Sequence, residues 1–300
     1  MHRDRLIKKV RALSERYRVD NGRRFRLRSF DPGDTAGLES DDKPKARTLL
    51  AEGVQVLAEL QDMLYANDRW GVLLIFQALD AAGKDGVIKH VMSGVNPQGC
   101  QVYSFKAPSH EDLDHDYLWR CMRCTPERGR IGIFNRSYYE EVLAVKVHPE
   151  LLEAQHLPEA ARTRKLFEHR YEDIAAYERY LSRNGYVIRK FFLHVSRDEQ
   201  KRRFLERLDE PRKNWKFSEA DVTARQHFDA YQRAYEDMVR ATATEHAPWY
   251  VVPADNKWFT RLVVASAVIE TLDGLDLSYP RVTREQRERL AAARTELENE

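Results

Sequence analysis

From residue 70 onward, short and nearly unbroken apolar runs alternate with longer stretches of mixed polarity. Apolar runs of about four to eight residues bounded by turn signals read as strands buried on both faces. They predict strands over 72–79, 100–107, 129–135, 186–195 and 249–253, the fourth interrupted by Arg189 and Lys190. The stretches between them predict helices near 84–93, 109–123, 137–144, 162–184, 197–209 and 219–244. Three helix starts have the spacing of capping boxes: Ser109 with Asp112, Ser196 with Glu199 and Ser218 with Asp221. Regular alternation of strand and helix predicts an α/β fold, a parallel sheet with helices on both faces. Before residue 70, residues 31–34 and 40–44 read as loops, and a helix over about 44–66 leads into the first strand. The expected organisation is one domain over 45–280, a basic N-terminal extension over 1–44 and a charged surface helix over 281–300.

Composition narrows the class. The 300 residues are 42% apolar and 33% charged with a net charge of +2, so charge alone predicts no nucleic-acid partner. The charge is unevenly placed. Residues 1–30 hold eleven Lys or Arg and three acids, a local +8, which reads as a solvated arm more readily than as an anion-binding surface. No apolar run approaches the roughly 18 residues that would span a bilayer, and the N-terminus lacks the apolar core of a signal peptide. The expectation is a soluble cytoplasmic protein with no membrane partner. Three cysteines fit a reducing compartment. Cys121 and Cys124 form a C-x-x-C, but no second pair completes a zinc site, so a structural reading is preferred. The tract Ser109–Asp116 tempts a metal reading, yet fits better as a capped, acidic first helical turn.

The chemistry concentrates after the first predicted strand. There the chain reads Ala78-Leu79-Asp80-Ala81-Ala82-Gly83-Lys84-Asp85-Gly86 and then turns helical. A small-residue loop between strand and helix presents backbone N–H groups and the helix dipole to an anion, and a lysine neutralises it. The usual phosphate-loop pattern would have Gly at 78 and Ser or Thr at 85, where this chain has Ala78 and Asp85. A metal would then need another ligand, for which Asp80 is the candidate. The predicted strand over 129–135 ends in Asn135, followed by Arg136, where such enzymes usually place an acid. As a residue in isolation, Asn135 reads equally as a turn or helix cap. Between 197 and 216 the chain has eight cations and five anions, with Arg203 and Arg207 on one helical face. That segment reads as either a solvated helix or a mobile lid that closes over phosphate.

Taken together, these residues resemble the second polyphosphate kinase family. The resemblance covers roughly 45–280 and rests on Asp80–Gly86, Phe134–Leu143, Asn214-Trp215-Lys216, Ala247-Pro248-Trp249 and Pro253–Trp258. It implies a three-layer kinase-like P-loop fold with a helical lid at about 197–216. It also implies Mg²⁺-dependent, reversible phosphoryl transfer between inorganic polyphosphate and nucleotides. By that resemblance Lys84, Ala82, Gly83, Asp85 and Gly86 hold phosphates and Asp80 binds magnesium. Asn135 stands where many members have a metal-binding aspartate, in the branch that phosphorylates both mono- and diphosphates. Arg120, Arg136, Arg203 and Lys216 meet phosphate charge, and Glu140 or Glu141 positions the acceptor. Lys89, Lys106 and Lys146 would line the polyanion's path. The expected nucleotides are adenine, with guanine as a second option, and the expected assembly is a homo-oligomer, dimer or tetramer. The competing readings are an ATP-dependent nucleoside monophosphate kinase and a non-catalytic polyanion-binding protein.

Overall fold

The computed structural model describes residues 2–216 and 219–300; side chains at 2–6, 9, 213, 216 and 219–221 fall outside the description. The Ser218–Asp221 box and the Lys216 side chain therefore lie outside the described residues. In chain order the main elements are α1 (His2–Glu15), β1 (Arg18–Val19), α2 (Lys43–Asn67), β2 (Gly71–Gln77), α3 (Lys84–Val91), β3 (Cys100–Ser104) and β4 (Ile131–Asn135). There follow α4 (Leu166–Arg183), β5 (Tyr186–His194), α5 (Arg197–Asp209), α6 (Glu219–Gln226), α7 (Phe228–Thr242), β6 (Trp249–Pro253), α8 (Lys257–Asp273) and α9 (Arg284–Glu298).

The strands form one sheet in the order β1-β6-β5-β2-β4-β3, parallel except for β1, which pairs antiparallel with β6. The most apolar strand, β2, is buried along its length and lies between β5 and β4. Neighbouring residues of β5 show the two covered faces, since strand side chains alternate. Arg189 donates to Thr271 of α8, whereas Lys190 reaches Glu178 of α4 on the other side. On the α8 side α1, α2, α3 and α8 pack together, and α7 packs on α4 opposite.

Lys190 is fully buried and fully partnered. Its ammonium donates to Glu178 at 2.6 Å, the Thr242 carbonyl at 2.8 Å and the Tyr139 hydroxyl at 3.0 Å. Glu178 also accepts from Tyr138 and Tyr139. A buried charge survives only with such pairing.

Four sequence expectations change. The basic N-terminal stretch is docked, because Ile7, Val10, Tyr17, Val19, Phe25 and Leu27 are buried in the common core and β1 extends the sheet. The helix expected over 109–123 is two single turns, His110–Leu113 and Trp119–Met122. Between them Asp116 accepts from its own downstream Leu118 N–H, a local bond that competes with helix. The helix expected over 137–144 is a 3₁₀ turn, Tyr138–Val142, followed by Ala144–Val147. At Ser196 only half a capping box forms, since the Glu199 carboxylate is taken by Arg202 and Arg203. The Ser109–Asp112 box forms fully, and α9 is exposed throughout. Among the described residues no helix is long and apolar enough to cross a membrane, and no cluster of three metal-ligating side chains occurs.

Candidate active site

The chain leaves β2 at Gln77 and enters α3 at Lys84, so residues 78–83 form a loop at the C-terminal edge of the sheet. Ligands of parallel α/β sheets bind at that edge. Ala81 and Gly83 have φ of +65° and +106°, values that only glycine adopts freely. The ammonium of Lys84 is folded back onto the Ala78 carbonyl at 2.6 Å. Burial pushes its pKa down, an effect partly opposed by Asp80.

Asp80 forms a 2.6 Å ion pair with Arg136, and both groups stay partly exposed. Burial alone would raise the Asp80 carboxyl, but Lys84 and then Arg136 hold it below the ordinary carboxylate range. It is therefore charged at neutral pH, and the pair weakens only as pH falls through that lowered value. Arg136 follows β4 with φ of +63°, a strained setting that turns its backbone at the strand end. Asn135 donates its amide to Asp85 at 2.8 Å. Asn135 at the strand end and Asp85, which stands where the usual phosphate loop has Ser or Thr, are thus neighbours.

Arg203 lines the loop cavity beside Arg207, but its guanidinium is bound far more tightly than a mobile lid residue would be. It is 3% exposed, and all five guanidinium donors are engaged. They reach Glu199, Ala81 O and Ala82 O on one side, and Ala254 O and Asp255 O on the other. Arg203 is a clasp on the loop, joining it to the end of β6. Gln200 adds a bond to the Asp80 carbonyl at 3.1 Å. One turn onward, Arg207 lines the cleft and contributes to lowering the Asp80 carboxyl.

The cavity over the loop is about 230 Å³ and is walled by Asp80, Lys84, Glu206, Arg207 and Lys257 among others. None of the described residues lining it is aromatic. Lys257 opens α8 and is pushed to lower pKa by burial and by Arg203. Lys257 brings charge to the phosphate loop. A neighbouring cleft of about 390 Å³ joins Asp80, Asp85, Asn135 and Arg136 to Lys106, Arg207 and Trp215. Lys89 is exposed, and Lys146 is committed to Asp237 at 2.8 Å, so of the three lysines expected along the polyanion path Lys106 alone lines this cleft.

Glu140 and Glu141 differ in their bonding. Glu140 accepts from Gln77 at 3.0 Å and faces a small cavity with Asp80, Arg136, Tyr231 and Tyr235. Glu141 is buried in an ion pair with Arg170 and accepts from Gln155, which fixes it structurally. Both Glu140 and Glu141 border a larger pocket of about 370 Å³ with Tyr117, Arg120, Leu157, Leu166 and Asp173. Arg120 is braced by the Lys106 carbonyl at 2.9 Å and belongs to that pocket. Cys121 is buried and its thiol is pushed up to about 12 by desolvation, consistent with a structural C-x-x-C.

Comparisons with known proteins converge. The model of the family described as polyphosphate kinase 2 matches residues 39–279. The chain is 51% identical over 289 residues to an ADP-polyphosphate phosphotransferase of Rhodopseudomonas palustris, covering 96% of this chain and 99% of the relative. It is 45% identical over 266 residues to an AMP/ADP-polyphosphate phosphotransferase of Meiothermus ruber, covering 89% and 95%. The crystal structure of polyphosphate kinase 2 from Arthrobacter aurescens superposes with a TM-score of 0.83 at 38% identity, covering 93% of this chain and 96% of that one.

Proposed function

We propose, since this chain belongs to the polyphosphate kinase 2 family, that the loop cavity receives the phosphoryl donor and the 370 Å³ pocket receives the acceptor nucleoside. The protein is a kinase that phosphorylates nucleotides from polyphosphate, in keeping with its AMP- and ADP-phosphorylating relatives. The observation that carries the donor assignment is the loop cavity's lining. An ATP donor needs an apolar or aromatic slot for its base. Here the walls away from the loop are Arg203, Glu206, Arg207 and Lys257. They suit a chain of phosphates.

Phosphoryl transfer requires positioning and neutralisation more than covalent chemistry. Lys84 and the loop amides hold the transferring phosphate. Arg136 exchanges Asp80 for phosphate oxygens when substrate arrives, and Arg207 meets charge from above. Glu140 orients the acceptor between the two cavities. Family members of this type depend on a metal, and Mg²⁺ fits the donor set. Asp80, Asp85 and the Asn135 amide oxygen are hard oxygen ligands, and Mg²⁺ takes one or two carboxylates together with substrate phosphates and water. Bound there, it would neutralise charge on the phosphates. The neutral Asn135 leaves room for acceptors of either charge, so AMP is converted to ADP and ADP to ATP. Guanine nucleotides and a dimeric or tetrameric assembly are part of the same reading.

The test is incubation of AMP or ADP with polyphosphate and Mg²⁺ in the absence of ATP. Formation of ADP and then ATP is expected. A strict requirement for ATP would point to an ordinary monophosphate kinase, and binding without turnover to a polyanion-binding protein.

A further inference from the structure

Beyond the transfer site, the same edge of the sheet carries a polar cavity of about 500 Å³ between α7 and the N-terminal segment. Its position follows from register. Phe192 of β5 pairs with Gln77, the last residue of β2 before the phosphate loop, and His194 lies two residues further on the same face. Phe192 stacks on Tyr235 of α7 with ring centroids 4.0 Å apart. Tyr231 and Tyr235 face the cavity that holds Asp80 and Arg136, while Gln232 and Arg233 face the second cavity. Helix α7 therefore stands as a wall between the two.

The second cavity has polar groups without partners. His194 is 8% exposed, and its Nδ1 is buried with no hydrogen bond among the described residues. The Nε2 of Gln232, an obligate donor, is likewise buried and unbonded. Each unmet buried polar atom costs free energy unless a ligand or water satisfies it. Arg28 and Arg233 also line the cavity, both exposed and without an ion pair among the described residues. Its two acids are already engaged. Glu236 accepts from the Leu27 amide at 2.9 Å, and Asp237 binds Lys146 at 2.8 Å. Burial pushes His194 down to about 4, so the imidazole is neutral at pH 7 and retains one N–H to donate.

We propose that Arg28, His194, Gln232 and Arg233 form a second binding site for phosphate anions, separated from the transfer loop by α7. Two guanidinium forks supply charge, and the buried imidazole and amide supply directed donors, a combination suited to tetrahedral oxyanions. The site has two sources of ligand of this one chemistry: a remote part of the polyphosphate chain whose end is being transferred, or free inorganic phosphate. The first rests on the donor assignment made above.

The experiment uses the full chain and the double variant Arg28→Ala/Arg233→Ala, with Gln232→Leu as an independent variant. KM is measured for long-chain polyphosphate and for tripolyphosphate with ADP as acceptor, and thermal shifts are read against inorganic phosphate. If the site holds the chain, the double variant raises KM for the long polymer about three- to tenfold, leaving kcat and the tripolyphosphate KM unchanged. If it holds free phosphate, wild type shows a saturable thermal shift that both variants lose, with both KM values unchanged. The proposal is overturned if long-chain KM and the phosphate-induced shift are the same in wild type and variants. Lack of any turnover with polyphosphate would instead overturn the donor assignment, and the phosphate titration would still decide the site.

Discussion

Two ion pairs of the same chemical type do opposite jobs in this molecule. Lys190 and Glu178 sit at 0% and 1% exposure with every donor matched. Asp80 and Arg136 sit at 39% and 35%, at the open edge of the sheet. The first pair is surrounded by groups that answer it and has nothing else to bind. The second is solvated, adjoins the cleft and can trade a partner. Burial and completeness of bonding, more than charge, separate a brace from a site.

The largest effect should come from breaking the brace. Lys190→Ala leaves Glu178 uncompensated in the core and should lower stability by about 3–5 kcal/mol, read as a shifted urea midpoint. Replacing both partners, Lys190→Met with Glu178→Leu, should recover only part of the loss, because the Tyr138 and Tyr139 hydroxyls and the Thr242 carbonyl lose their partners; a single variant of wild-type stability would erase the contrast. Lys84→Ala is the converse. It should lower kcat by about 10²–10³ with the urea midpoint nearly unchanged. Retention of more than about half the wild-type kcat would remove Lys84 from the phosphate site, since such a loss amounts to only ~0.4 kcal/mol.

Arg203 lies between the two cases, because it is bonded like a brace yet touches the loop. Arg203→Ala should cost about 2 kcal/mol of stability through its unmet buried carbonyls and also slow turnover. Loss of turnover alone would return Arg203 to the role of a phosphate clamp. Asn135→Asp places a second carboxylate beside Asp85 and should change the ratio of kcat/KM for AMP and ADP by about tenfold. An unchanged ratio makes Asn135 a turn residue. The mildest probe is hydrogen exchange. Amides of 197–206 should be protected with or without substrate, whereas those of 207–216 should slow when polyphosphate and Mg²⁺ are added.

The sequence made the sheet and the loop readable because both are local. Unbroken apolar runs announce buried strands, and Gly83-Lys84 after such a run announces an anion site. Less was legible where the answer lies in a partner. Helical spacing puts Arg203 and Arg207 on one face, and both line the loop cavity, but it cannot say that the first is also tied to four backbone carbonyls. Glu140 and Glu141 are adjacent in sequence, and only Arg170, twenty-nine positions beyond Glu141, decides which is buried. β1 escaped notice because a two-residue strand leaves no periodicity.

The Arg203 clasp also fixes directions. In a planar trans peptide the C=O and the following N–H point opposite ways. Drawing the Ala81 and Ala82 carbonyls down onto one guanidinium therefore turns the N–H bonds of Ala82 and Gly83 up, away from it. The Ala82 N–H is used within the loop by Leu79, which leaves that of Gly83 aimed outward at the head of α3. A single buried cation thus acts as a mould for dipoles, setting the loop's polarity before any anion arrives.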